Sequence, residues 1–303
     1  MKKSSKLVIV VVYPGVEKFL KDYFSTILFQ IEHDFDLLIL NDQANLDISK
    51  ICHKRIKIIN IEDKMSFAQI RYEGILYGIQ NQYETIIFTD ADDYYSKNRI
   101  SLSEEMLKNY SFVFNEIELV DSKKKKIRSN VLLHLGVKME YDNIDEIIDK
   151  NYFGLSNTAV NVKEIKSLYI PKDIIAVDWW IFTVLLLNGC KGRFIKEVKT
   201  YYRQSEINLV GFCNKLNEKR LMLGIKVKTN HYKNLIEFCE GNHLEKEKLL
   251  YKRKLDEMKE LKYKLKNPGF RERYMEVINY NYDRIFCGWW SEILPINKWS
   301  KYA

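Results

Sequence analysis

Six consecutive apolar residues, five of them β-branched, run from Leu7 to Val12. Such a run suits a strand covered on both faces, because a half-exposed strand alternates apolar with polar residues. Phe35–Leu40 repeats the pattern, Ile56–Ile61 gives a shorter version, and Thr85–Thr89 runs straight into Asp90. Between them lie helical spacings. Val16, Phe19, Leu20, Tyr23, Ile27 and Ile31 mark one over 16–31; Phe67, Ile70, Ile75, Tyr77 and Ile79 mark another over 66–82. Strand–helix–strand repetition predicts an α/β fold with a mostly parallel, doubly wound sheet. Ligands of such sheets bind at the carboxyl ends of the strands. Two of those ends carry acids here: Asp42, and the run Asp90-Ala91-Asp92-Asp93.

Beyond this core the spacing predicts a hairpin over Ser111–Asp121 turning at Ser122–Lys126, a polar stretch at Asn151–Val162, a buried helix over Ile174–Gly189 and a last strand at Ile195–Gln204. After about residue 212 the pattern changes to long, highly charged helices; Leu244, Tyr251, Leu255, Met258 and Leu265 share one face, and Asn267-Pro268-Gly269 breaks it. The expected division is a domain over 1–211 and a basic, α-helical C-terminal extension over 212–303. Charge follows the same boundary. Residues 1–211 carry 29 Lys+Arg and 29 Asp+Glu, and residues 212–303 carry 20 and 12, which sum to the 49 and 41 of the chain; the excess of +8 sits in the extension.

Five scattered cysteines (Cys52, Cys190, Cys213, Cys239 and Cys287) form no CxxC pair, which argues against a zinc site or a disulfide scaffold and fits a reducing compartment. The apolar run after Met1–Lys6 is too short for a signal-peptide core or a membrane span. The expected location is therefore the cytoplasm. There is no G-x-G-x-x-G and no Walker sequence, which disfavours nicotinamide-dependent dehydrogenases and P-loop enzymes.

A D-x-D at the end of a buried strand delivers hard oxygen ligands to the sheet edge. A divalent cation there can neutralise a diphosphate leaving group. The plainer reading is an acidic helix start, favoured by the helix dipole, and Asp93 fits that role. Asp178, opening the predicted helix to Gly189, fits either an N-cap or a general base.

In order along the chain stand Tyr13-Pro14, Asn41-Asp42, Ile70-Arg71-Tyr72-Glu73-Gly74, Asp90-Ala91-Asp92, Val177-Asp178-Trp179 and Tyr202-Arg203-Gln204-Ser205-Glu206-Ile207-Asn208-Leu209-Val210-Gly211. The chain resembles glycosyltransferase family 2 over roughly residues 6–211, in both motif order and element order. The resemblance implies a GT-A fold, a nucleoside-diphosphate sugar donor (UDP by its frequency in the family) and Mn²⁺ or Mg²⁺. It implies that Val11, Tyr13, Asp42 and Arg71 line the nucleotide site. Asp90 with Ala91 approaches the ribose or metal shell, Asp92 ligates the metal, Arg203 belongs to the nucleotide-sugar site, and Asp178 is the base of an inverting transfer. Four positions depart from the family pattern: Val11, Pro14, Asn41 for the first acid of Asp-Asp, and Ser205 for a common histidine. Glu206, or a residue of the extension, would have to replace that histidine.

The resemblance also implies a glycan or lipid-linked acceptor in bacterial surface polysaccharide synthesis. Basic helices and terminal tryptophans suit a peripheral contact with anionic membrane, placing the protein at the inner face of the plasma membrane. The competing expectation is that those aromatics are core. No single-strand-binding motif supports nucleic acid. The alternative function is a catalytically silent GT-A-like binding or assembly protein.

Overall fold

In the computed structural model, β1 (Lys6–Val12) is buried along its whole length. It pairs in parallel with β2 (Asp36–Asn41) on one side and β4 (Thr85–Asp90) on the other; β3 (Ile56–Asn60) extends the parallel set beyond β2. The connecting helices are α1 (Leu20–Ile27) and α2 (Phe67–Gln80). The carboxyl ends of these strands share one edge, with Val12 opposite Asn41 and Val11 opposite Asp90. The structure describes residues 3–46, 55–62, 65–205 and 215–303.

Helix α2 begins with a capping box: the Gln69 amide donates to Ser66 Oγ, and the Ser66 amide donates back to Gln69 Oε1. Its glycines set its distance from the sheet. A Cβ at Gly74 would come within 3.0 Å of the Ile9 and Leu40 side chains, and one at Gly78 within 2.6 Å of Ile86. The helix therefore packs close, and Arg71, one turn before Gly74, is brought against the end of β4.

The chain continues through β5 (Tyr94–Tyr95), α3 (Arg99–Leu107), β6 (Phe112–Asp121), β7 (Lys126–Arg128), α4 (Val131–His134), β8 (Glu140–Tyr141), β9 (Thr158–Asn161), α5 (Val177–Leu187) and β10 (Gly192–Gln204). The sheet order is β3-β2-β1-β4-β9-β6-β10-β5, with β7 beside β6 and β8 beside β10. The expected hairpin is the β6–β7 pair; Asp121 Oδ1 fixes its turn by accepting from the Lys123 and Lys125 amides, each at 2.8 Å.

Strand β9 is not announced by its residues. It sits in the centre of the sheet, antiparallel to both β4 and β6, although Thr-Ala-Val-Asn carries no apolar run. Arg99 compensates for the polar interior. Fully buried, its guanidinium donates to the Phe88 carbonyl (2.7 Å), the Thr158 carbonyl (3.2 Å), Thr200 Oγ1 (3.1 Å) and Asn115, and so joins four strands.

Residues cluster into two compact units. The first is Met1–Ile144, Phe153–Ile170 and Ile181–Gly211; the second is Asp145–Tyr152, Pro171–Trp180 and Phe212–Ala303. The second unit thus draws two segments from the expected first domain, one of them carrying Asp178. It is built on α6 (Glu218–Gly241), α7 (Glu245–Lys264), α8 (Pro268–Tyr280), α9 (Tyr282–Ile285) and α10 (Ile296–Trp299). Trp179 stacks on His231 at 3.9 Å, Tyr232 on Tyr251 at 6.1 Å and Trp299 on Tyr274 at 5.7 Å. Lys254 and Lys298 both donate to Asp149 Oδ2.

All five tryptophans are buried. Of the two expectations for the terminal aromatics, the tryptophans meet the core one: their rings are taken up by packing inside the protein. Among the described residues, no helix is long and apolar enough to cross a membrane. Cys190, Cys239 and Cys287 are free thiols; Cys52 and Cys213 lie outside the described residues.

Candidate functional site

The acidic run forms a tight turn at the end of β4, closed by the Asp93 amide donating to the Asp90 carbonyl (3.2 Å). Asp90, the most accessible of the three acids, accepts from Arg71 Nη2 at 2.8 Å. Ala91 is fully buried, Asp92 is 7% exposed and Asp93 1%. Asp93 does not start a helix, because β5 follows it and α3 begins only at Arg99. Its carboxylate accepts from the Arg203 amide (2.8 Å) and from the Ser156 hydroxyl. The Tyr95 hydroxyl accepts from the Asp90 amide (2.9 Å) and lies 3.0 Å from Ser156 Oγ. Asp93, Ser156 and Tyr95 therefore hold the turn from beneath, while Asp90 and Asp92 are its candidate ligands.

Arg203 is also beneath the turn. Its fully buried guanidinium donates to the Asp92 carbonyl (2.7 Å), the Ser122 carbonyl (2.8 Å) and Asp22 Oδ2 (2.8 Å), and lies 4.4 Å from the centre of the Phe19 ring. Each of its three nitrogens is thus engaged by the protein, and the Asp92 carbonyl is one of its acceptors.

Carboxylates this close and this buried resist ionisation. Asp92 is pushed up to about 7, by burial first and then by the charge of Asp90, against the pull of its own amide, Arg203 and Arg71. Burial and the charges of Asp92 and Asp90 raise Asp93 well above the ordinary carboxylate range. A carboxyl whose folded pKa is raised destabilises the fold progressively as pH climbs from its unfolded value, near 3.8, to its folded value, near 7. With metal chelated, the native protein should therefore lose stability across that window relative to Asp92→Asn. The loss should reach a few kcal/mol, since a tenfold change in proton affinity corresponds to about 1.4 kcal/mol. Urea melts of both proteins between pH 4 and pH 8 read this directly; parallel curves would contradict it.

The donor set suits a hard divalent cation: two oxygen ligands, one of them held protonatable near neutrality for want of a counter-charge. Among the described residues, no group of three His, Cys, Asp or Glu is placed to hold a metal ion. Asp90 and Asp92 fit a cation that completes its shell with substrate phosphates and water, as Mg²⁺ and Mn²⁺ do in phosphate sites.

At the neighbouring strand ends, the Asp42 amide donates to the Val12 carbonyl (2.8 Å). Asn41 bridges to Asn60 Oδ1 (3.0 Å) and accepts from the Ala44 amide (3.0 Å), a turn-making role that needs no charge. Val11 is 2% exposed and serves as backbone partner to Asp90. Tyr13 is half-buried. It follows directly on β1, whose Val11 is opposite Asp90, and its hydroxyl is held protonated by burial first and then by the charges of Asp92 and Asp90. Val11, Tyr13, Asp42, Arg71 and Asp90–Asp93 are thus gathered at one sheet edge.

Asp178 belongs to the second unit, as the second residue of α5. Its Oδ1 lies 2.7 Å from the Trp179 amide, inside the first turn rather than at the capping position. Ser205 is half-buried, and Glu206 to Gly211 lie outside the described residues. Sequence reasoning missed Tyr95, Ser156 and Asp22, because a lone Tyr, Ser or Asp carries no spacing signal.

No protein-family model matches the chain, and no curated protein sequence does. Solved structures do. S. aureus TarS 1–349 in complex with UDP-GlcNAc superposes with a TM-score of 0.53 at 14% identity, covering 77% of this chain and 67% of that one. GalNAc-T7 with UDP, GalNAc and Mn²⁺ gives 0.52 at 12%, covering 75% and 47%. The mannosyltransferase PcManGT from Pyrobaculum calidifontis, with GDP-Man and Mn²⁺, gives 0.51 at 12%, covering 78% and 65%. This chain spans about half to two thirds of the length of those structures. Such identities speak to architecture alone, and the architecture is the GT-A fold of glycosyltransferases, with α-helices at the C-terminal end.

Proposed function

We propose that this protein is an inverting glycosyltransferase resembling family 2, which moves a sugar from a nucleoside diphosphate, UDP first among candidates, to a hydroxyl of a glycan or lipid-linked acceptor. The observation that carries the reading is the turn Asp90–Asp93: two carboxylates at the end of a central strand, one of them ion-paired to Arg71 and the other buried next to it. In this reading Asp90 and Asp92 hold Mn²⁺ or Mg²⁺. When bound, that ion supplies charge neutralisation to the departing diphosphate. Tyr13, Asp42 and Arg71 orient the nucleotide, with Val11 behind them. Asp178 takes the proton of the acceptor hydroxyl as its oxygen bonds to the anomeric carbon and the bond to the diphosphate oxygen breaks. A single displacement of this kind inverts the anomeric configuration.

The basic extension, 212–303, is the part assigned to a peripheral membrane contact. Its exposed lysines, rather than its tryptophans, are the groups offered to anionic membrane at the inner face of the plasma membrane. The biological setting that fits is bacterial surface polysaccharide synthesis.

The test is release of nucleoside diphosphate from UDP- and GDP-sugars in Mn²⁺, with and without simple sugar acceptors. Asp178→Asn should cut acceptor-dependent release at least a hundredfold, at the lower end of what general base catalysis contributes, and leave donor affinity within about twofold. Unchanged turnover would remove Asp178 from the mechanism. If native protein released nothing and bound no nucleotide, a catalytically silent GT-A domain would be the better description.

A further inference from the structure

Phe67 is the first residue of α2, 42% exposed at the carboxyl edge of the sheet. Phe67 alone would be an ordinary exposed side chain; beside the right groups it can take an occupant. Its neighbours specify one. The Tyr13 ring meets it edge-on at 6.3 Å and 83°, so the two rings form a corner. Arg71 stands four residues further along α2, on the same face of the helix as Phe67. Arg71 reaches Asp90 with Nη2, while its Nη1 is buried without a hydrogen-bond partner among the described residues. An aromatic corner, an orphaned guanidinium donor and the acidic turn thus lie along one line of side chains. A flat π-system at one end and phosphate or ribose oxygens at the other would satisfy them together.

We propose that Phe67 is a nucleobase contact: the base of the donor packs on the Phe67 ring in the corner made with Tyr13, and Arg71 Nη1 donates to an oxygen of the same nucleotide. This rests on the nucleotide-sugar reading of the site and adds a residue to it. A ring face recognises any base, so Phe67 contributes affinity for the base as such, and choice between bases falls to polar groups such as Asp42.

Calorimetric titrations of native protein, Phe67→Ala, Phe67→Leu and Phe67→Trp with UDP, GDP and inorganic pyrophosphate, all in Mn²⁺, separate the possibilities. Phe67→Ala should weaken the preferred nucleotide about tenfold, on the scale of base–aromatic stacking, and leave pyrophosphate unchanged. Phe67→Leu should recover little of that loss and Phe67→Trp most of it. Equal affinities for native and Phe67→Ala proteins would overturn the proposal, as would an equal loss for pyrophosphate. If native protein bound pyrophosphate but neither nucleotide, the base contact and the nucleotide reading would fall together. If it bound a nucleotide that Phe67→Ala bound as well, only the base contact would fall. Since Phe67 is exposed, its variants should melt within a few degrees of native protein.

Discussion

Asp92→Asn should abolish metal-enhanced nucleotide binding and slow sugar transfer by about a hundredfold to a thousandfold, while the apo protein becomes no less stable and, above pH 7, more so. The rate figure is what several kcal/mol of lost charge stabilisation at the leaving group amounts to. The stability sign comes from burial. Asp92 is 7% exposed beside two other carboxylates, and its pKa of about 7 means that the native fold works against its charge. Asparagine keeps the shape and removes that conflict. A group that raises stability when neutralised yet is needed for function marks a site held under electrostatic strain for a ligand. Kinetics in Mn²⁺ and denaturant melts in chelator check the two halves separately. A variant with native transfer rate, or one much less stable in chelator, would contradict the assignment.

Arg203→Ala should have the largest effect on stability. It removes three hydrogen bonds and strands Asp22 and two carbonyls in a poorly hydrated place. Breaking a buried pair costs about 3–5 kcal/mol. Asp22 keeps some contact with water and with Lys124, so the lower figure applies, about 3 kcal/mol, which would lower Tm by roughly 5–10 °C. The same change frees the Asp92 carbonyl, so nucleotide affinity in Mn²⁺ should fall even where the protein remains folded. Arg203→Lys keeps the charge but cannot span three acceptors, and should recover only part of either loss. Thermal melts and nucleotide titrations of both variants check this. A variant that loses affinity with native Tm would mean that Arg203 touches the ligand itself.

The parallel half of the sheet was legible because burial on both faces leaves a continuous apolar run, as at Leu7–Val12 and Phe35–Leu40, and because acids at the ends of such runs have nowhere to go but the sheet edge. In the other half, β6 and β10 showed in the spacing at Ser111–Asp121 and Ile195–Gln204, and β9 did not. β9 is nearly as buried as β1, but it is four residues long with Thr158 and Asn161 at its ends, so the sequence around Thr158 looks like a loop. Arg71, Asp42 and the acidic run could be picked out by order. The support of that run could not: Ser156 lies 63 residues from Asp93 and Arg203 110 residues from it, and each contact exists only once β9 and β10 are in register. In sequence Asp93 suggests a helix start and Arg203 a nucleotide-sugar contact; in the fold Asp93 accepts from the Ser156 hydroxyl and the Arg203 amide, and the Arg203 guanidinium donates to Asp92, Ser122 and Asp22. The tryptophans illustrate the same limit, since amphipathic rings near basic helices suit an interface and a core equally until burial is known.

Whether the acidic turn is a metal and nucleotide site is tested most directly by the affinity of native protein for UDP and GDP, measured by calorimetry with Mn²⁺ and with chelator. Mn²⁺ should strengthen binding of one of them at least tenfold, and Asp92→Asn should erase the difference. Equal affinity with and without the ion, or no nucleotide binding in either condition, would contradict that assignment.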